Sequence, residues 1–482
     1  MFKQLLNIFR VPELRNKVLF TLLMLAIYRI GYHVTLFGSD LAKFNSQNQS
    51  NQSNSSDSDN SPVGALASYV SIFSAGNLSQ SSIFGLGVMP YISSSIIFQL
   101  LGTVMPSIEK LQKEGETGRK KIQEWSRYIT VPLCMIQASF WLSYMNGSDL
   151  VLPQWKNTAM FWIVGLCSLT AGSIFLMWLG EQIDEYGLGN GVSVLILAGI
   201  IARMPNAIMV LYYRTSLSGD VSGVRDITPA KLVFLAASFV FVVGGSILIT
   251  QAQRRIPIQQ AKHTRGRMIY GGQKQWMPLR VNHGGVMPII FAQSLMLFPT
   301  MGLRALSGYA QAYMAGLSDA VRNGHWHPFV NTAYWLDQEF SRGSYLYFII
   351  EAAMIYFFAY FWTTVQFQPK EMANQLRDYG TFIPGLRPGK RTADYLEKVM
   401  MRITYVGAAF LCVIAVVPMT VQAQMNIPIQ VTAFLGGTGL LIVVEVALDV
   451  ISRIEANLLM RDYGGFLGGG GGSSRIRSPY AR

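Results

Sequence analysis

Charge is what this chain has least of. Only 13% of its 482 residues are Asp, Glu, Lys or Arg, and acids are the scarcer sign, 26 against 39 bases. Beside 51% hydrophobic residues, that scarcity excludes an ordinary soluble protein, in which about a quarter of the residues are charged. Cysteine is nearly absent. Cys134, Cys167 and Cys412 each fall inside an apolar run, so they read as small buried hydrophobes and not as a disulfide or metal set. There is no HExxH, no GxSxG and no Ser/His pair on adjacent helix faces. The chain therefore offers no credible enzyme site and implies no cofactor. GLGNG at 187–191 is followed by no Lys-Ser/Thr pair, which excludes a phosphate loop. No small-residue cleavage site follows the first apolar run, so that run is expected to be retained.

Long apolar runs are what the chain has instead. Ten of them, near 20 residues each, lie at 18–36, 83–105, 128–146, 159–180, 191–213, 231–251, 284–303, 343–365, 398–417 and 429–451. Such runs predict membrane-spanning helices, and an even number puts both termini on one side. Lys and Arg decide which side: the arms and loops on the side of the termini hold 28, the opposite loops 8. Both termini are expected in the cytoplasm. Residues 1–17 alternate Phe2, Leu5, Leu6 and Phe9 with Lys3, Arg10 and Arg15, the pattern of an interfacial amphipathic helix. Spans one to five (18–213) form a first half and spans six to ten (232–451) a second, with a hinge loop at 214–231. The Asn/Ser/Asp tract 44–62 reads as a disordered outward loop, and 452–482 as a flexible cytoplasmic tail. Five spans and five spans allow an inverted repeat, although no sequence identity between the halves is visible.

Three stretches break the apolar monotony. Residues 71–124 begin with a small-residue segment and continue into an apolar run interrupted by Pro90. That run is laced with Ser93, Ser94, Ser95 and Gln99, and the stretch ends in a charged loop. A polar, broken helix in an apolar chain lines a cavity more readily than it faces lipid. The loop 251–282 carries seven Lys and Arg with no Asp or Glu, interleaved with Tyr270 and Trp276. Positive-inside bias explains part of this; a docking surface for a polyanion explains the rest. The loop 366–398 displays Arg387 between Pro384-Gly385 and Pro388-Gly389, a turn-forming setting. In contrast, LGEQIDEYGLGNG carries four glycines with Glu181, Asp184 and Glu185 and no base, which predicts a sharp cytoplasmic turn between closely packed helices. Glu351 and Glu445 lie inside spans, and intramembrane acids are functional candidates.

SIFGLGVMPYISSSIIFQLL, EKLQKEGETGRKKI, LMWLGEQIDEYGLGNGVS, QRRIPIQQAKH, GGVMPIIFAQS and FIPGLRPG closely resemble the SecY family, the pore subunit of the bacterial protein-conducting channel. The resemblance runs over roughly residues 15–460. It implies an all-α polytopic membrane protein, with ten transmembrane helices in two pseudo-symmetric halves. These close like a clamshell around a central pore with a re-entrant plug helix. The pore ring would be Val88, Ile92, Val192, Ile196, Ile290 and Ile442. The plug, within 67–78, would include Ser71, Ile72, Phe73, Ser74, Ala75 and Gly76. The lateral gate would set Ser93, Ile96 and Gln99 against Gln293, Ser294 and Phe298, with Gln137 nearby. Arg254, Arg255 and Arg387 would meet the ribosome or the SecA motor. SecE, SecG, preproteins with signal sequences and membrane lipids are the other implied partners, and the bacterial inner membrane the location.

The function implied is a passive channel for unfolded preproteins that releases transmembrane segments sideways into lipid. A signal sequence entering lipid gains roughly 0.8 kcal/mol per CH2 removed from water. Glu445 departs from an otherwise apolar family segment. From the residues alone two other functions stay open: an ion-coupled transporter using Glu351 or Glu445, and an insertase acting only on spans.

Overall fold

In hydrocarbon no water can satisfy a backbone N–H or C=O, so an apolar run of about 20 residues has one economical conformation, the α-helix. The computed structural model describes residues 12–40, 82–147, 150–215, 227–261, 263–265, 268–270, 272, 274–315, 332, 335–336, 339–340, 344–386, 388–425 and 438–467. Ten long helices answer the ten expected spans in order. They are α1 (Pro12–Gly31), α2 (Met89–Val104), α4 (Glu116–Gly147), α5 (Ala159–Tyr186) and α6 (Gly191–Arg214) in the first half. In the second half they are α7 (Pro229–Gln251), α8 (Met287–Ala315), α9 (Tyr345–Gln366), α11 (Lys390–Met425) and α12 (Thr438–Leu467). Two short helices, α3 (Pro106–Lys113) and α10 (Pro369–Asp378), lie in the loops. Five of the described helical stretches are long and apolar enough to cross a membrane by length and composition alone.

The outer surface reverses the pattern of a soluble protein. Val233, Val240 and Leu248 of α7 are each about seven-tenths exposed, a stripe suited to lipid tails. Proline sits inside α4 (Pro132), α6 (Pro205) and α8 (Pro299), as membrane helices tolerate. Pro90 behaves differently. It stands in the first turn of α2, where its missing N–H is an orphan in any case. It starts the helix, whereas the sequence reading takes it as a break within one.

Several helices outrun their apolar windows. α4 begins at Glu116, twelve residues before the expected edge, and α12 continues to Leu467. Hydropathy marks the hydrocarbon, whereas charged Glu, Lys and Arg are good helix formers that extend a helix into water.

Extended helix packing stays within halves: α2 on α4, α4 on α5 and α5 on α6 in one, and α8 on α9, α9 on α11 and α7 on α12 in the other. Among the described residues, the extended packing between halves is α6 against α12.

The loops between the helices are not all helix. Strand β1 (Gln253–Gln260) pairs antiparallel with β4 (Lys274–Arg280), from Gln253 opposite Arg280 to Gln259 opposite Lys274. Between them β2 (His263–Arg265) and β3 (Met268–Tyr270) form a smaller hairpin. β5 (Thr381–Phe382) joins the other edge of β1, with Gln260 opposite Thr381. The sheet order is β4-β1-β5, so the two basic loops are one platform. Ile256, Leu279, Phe367, Ile383, Leu396 and Met400 form its small apolar core.

Candidate functional site

Two helices from each half bring aliphatic side chains to one place. Val88 closes the turn that enters α2, and Ile92 lies one turn further along, its N–H donating to the Val88 carbonyl at 3.1 Å. Val192 and Ile196 share a face of α6 at a spacing of four. Ile290 lies in the first turns of α8, and Ile442 near the start of α12. Val88, Ile92, Ile196, Ile290 and Ile442 are buried in one contiguous apolar cluster, and half-buried Val192 packs against it. All six are β-branched and therefore stiff about the first side-chain bond. A narrow ring of such groups repels water and ions.

The polar residues beside this cluster do several different things. Ser94, fully buried, turns toward α4 and donates to the Ser126 carbonyl at 2.6 Å. It is a tether between the second and third spans. Ser93 and Ile96 are buried on α2, while Gln99 and Gln137 are half-buried. Across the seam, Ser294 donates to its own helix at Ile290, 2.7 Å away. Gln293 Nε2 donates to Glu351 Oε1 of α9 at 3.2 Å, so it is engaged by the eighth span. Phe298 lies one turn beyond Ser294 on α8. Extended packing of α2 on α8 is absent among the described residues.

Glu351 is completely buried, and Gln293 gives it a hydrogen bond that offsets part of its desolvation. A signal for this was present: a Glu in one span and a Gln in the preceding one. Their rotation about the helix axes was not readable from spacing alone.

The glycine-rich turn joins α5 to α6. Asn190 caps α6, its Oδ1 accepting from Ser193 N–H at 3.1 Å. Asp184 Oδ1 accepts from Gly191 N–H at 2.7 Å. A Cβ on Gly191 would collide with the Gly180 carbonyl, so glycine is what lets α5 and α6 meet this closely. Glu181 accepts from Arg127 Nε at 2.7 Å and from Gln123 Nε2 at 3.3 Å. Glu181 and Asp184 are thus hydrogen-bonded within the protein, while Glu185 is exposed.

Arg254 and Arg255 are exposed on β1. The turn that carries Arg387 has Gly385 at φ +88° and Gly389 at φ +117°. Arg387 itself lies outside the described residues, as do Ser71, Ile72, Phe73, Ser74, Ala75 and Gly76 of the expected plug and the tract 44–62.

Comparison with known proteins decides the family. The SecY family model matches residues 82–451. The protein translocase subunit SecY of Thermotoga maritima is 37% identical over 470 residues, covering 97% of this chain and 98% of the relative. Its counterpart in Halalkalibacterium halodurans is 38% identical over 469 residues, covering 97% and 100%. The chain belongs to the SecY family. Solved structures share the fold at lower identity. One described as the structure of a protein conducting channel superimposes with a TM-score of 0.58 at 17% identity, covering 94% of this chain and 95% of that one. Sec61 in the canine ribosome-channel complex from the endoplasmic reticulum gives 0.59 at 18%, with the same coverage. The SecY-family architecture, ten helices in two halves, is therefore the architecture of this multi-pass membrane protein.

Proposed function

We infer that this chain is the central pore-forming subunit of a Sec translocase. It passes unfolded preproteins across the membrane and releases transmembrane segments laterally, with energy supplied by a motor or a ribosome. The observation that carries the reading is the convergence of six aliphatic side chains, from α2 and its leading turn, α6, α8 and α12, into one cluster between the halves. Membership of the SecY family supports it. In this reading Val88, Ile92, Val192, Ile196, Ile290 and Ile442 are the seal, and 71–76 belong to the plug on its outward side. Release to lipid runs between α2 and α8, where packing is sparse, while α6 against α12 acts as the hinge side. Ser93, Ile96, Gln99 and Gln137 line one wall of that exit, and Gln293, Ser294 and Phe298 the other.

Both termini and the sheet platform face the cytoplasm. Arg254, Arg255 and Arg387 meet the ribosome or SecA there; Arg254 and Arg255 are exposed in a loop, 251–282, that carries no Asp or Glu, and such bases attract polyanions and acidic surfaces. SecE and SecG are the expected small subunits. The transporter reading gains no support from the centre of the molecule, which is aliphatic where a solute site needs convergent polar groups. The test is reconstitution of the chain with the small subunits, the motor and ATP in vesicles. Protease-protected preprotein inside the vesicles is expected. A complex that assembles yet protects none, while taking up a small solute against a gradient, would overturn the reading.

A further inference from the structure

The tenth span, 429–451, carries two acids: Asp449 pairs with Arg453 at 2.9 Å, whereas Glu445 stands between Val444 and Val446, three residues beyond Ile442. Burying a carboxylate costs free energy unless hydrogen bonds meet it, so its receiver is informative. The Val286 backbone N–H, at the entry to α8, donates to the Glu445 carboxylate. Gly285, the residue before, has φ +60°, and a Cβ there would collide with Glu445 Oε1. The seat is braced from the other side by Asn282 Nδ2, which donates to the Gly285 carbonyl at 3.0 Å. Val286 is the residue from which α8 starts: its carbonyl accepts the Ile290 N–H at 3.1 Å.

We propose that Glu445 is a positioning residue that caps the amino end of the seventh span from the tenth, and so sets the register of Ile290 against Ile442 in the constriction. In a capping box the N–H of the capping residue is met by a Glu three positions along the same helix. Here that Glu comes from another helix. The position suits a carboxylate twice over, since the helix dipole favours negative charge where the orphan N–H groups point. Gly285 is part of the device for two reasons: it supplies a left-handed backbone and it leaves room for the carboxylate. The cap lies one turn from Ile290 along α8 and one turn from Ile442 along α12. Tilting or sliding either helix at the ring therefore strains the same hydrogen bond.

The proposal rests on the channel reading of Ile290 and Ile442, and the test separates the two. Ion leak is measured through the resting complex, full chain with its small subunits, in sealed vesicles. Loss of a helix cap shifts an equilibrium by about fivefold, so Glu445→Val is expected to raise the leak by about that factor. Glu445→Gln, whose amide oxygen still accepts from Val286, is expected to stay as tight as the unsubstituted complex. Gly285→Ala is expected to leak like Glu445→Val, because its Cβ evicts the carboxylate. An Ile290→Asn complex serves as the control for the ring. If it leaks while Glu445→Val and Gly285→Ala stay tight, the cap is overturned and the channel reading stands. If Ile290→Asn is itself tight, both fall. A Glu445→Gln complex as leaky as Glu445→Val would also overturn the cap. Should Glu445→Val fail to assemble, Glu445→Gln and Gly285→Ala decide, and a tight Gly285→Ala refutes the proposal.

Discussion

Ser94 shows how much a single position matters in the second span. Its hydroxyl donates to the Ser126 carbonyl, which also accepts from Thr130 Oγ1 at 2.7 Å. Removing one buried hydrogen bond costs about 0.5–1.5 kcal/mol, so Ser94→Ala is expected to lower the melting temperature of the purified complex. Ser95→Ala, on the half-buried face, is expected to leave it unchanged. Equal melting of the two variants would mean that Ser94 is not a tether. The run of three serines was visible in the sequence and marked a stretch of unusual polarity. Which serine faced a neighbouring helix was not, because adjacent helical residues are rotated by about 100° and the partner Ser126 lies in another span. Glu445 is the same lesson at greater distance. Its acidity stood out against the apolar run, but its acceptor role depends on a backbone N–H more than 150 residues away, invisible to any local pattern.

At the scale of elements, the ten helices were legible because each must carry its own apolar length. The strands were not. Pro257 interrupts QRRIPIQQ and Pro278 interrupts KQWMPLR, and a proline within a run argues against a strand. β5 has only two residues and exists through its pairing with β1. The basic loops nevertheless announced themselves by charge, and the sheet explains how they act together. Arg254 and Arg255 on β1 share a platform with the glycine turn at 383–386 and 388–389, since β5 lies in the same loop as that turn. The double substitution Arg254→Glu and Arg255→Glu is expected to weaken binding of the ribosome or motor to vesicles bearing the complex. The defect should be larger at low salt than at high salt, where screening already blunts the attraction. Unchanged binding at low salt would remove these residues from the docking surface.

For the whole molecule, function depends on an asymmetry between two sides. On one, α6 packs on α12; on the other, extended packing of α2 on α8 is absent among the described residues. The shared apolar cluster lies between, and a chain passing through must part its side chains. The ten-span topology could be read from hydropathy and Lys/Arg bias, but the sides could not, because they depend on which helices meet. The most direct measurement is photo-crosslinking of a preprotein stalled midway through the channel. Probes would be placed singly at Ile92, Ile196, Ile290 and Ile442, with lipid-facing Val240 as reference. The stalled chain is expected to form adducts at all four positions and none at Val240. Adducts absent from the four, or no more abundant there than at Val240, would contradict passage through this constriction.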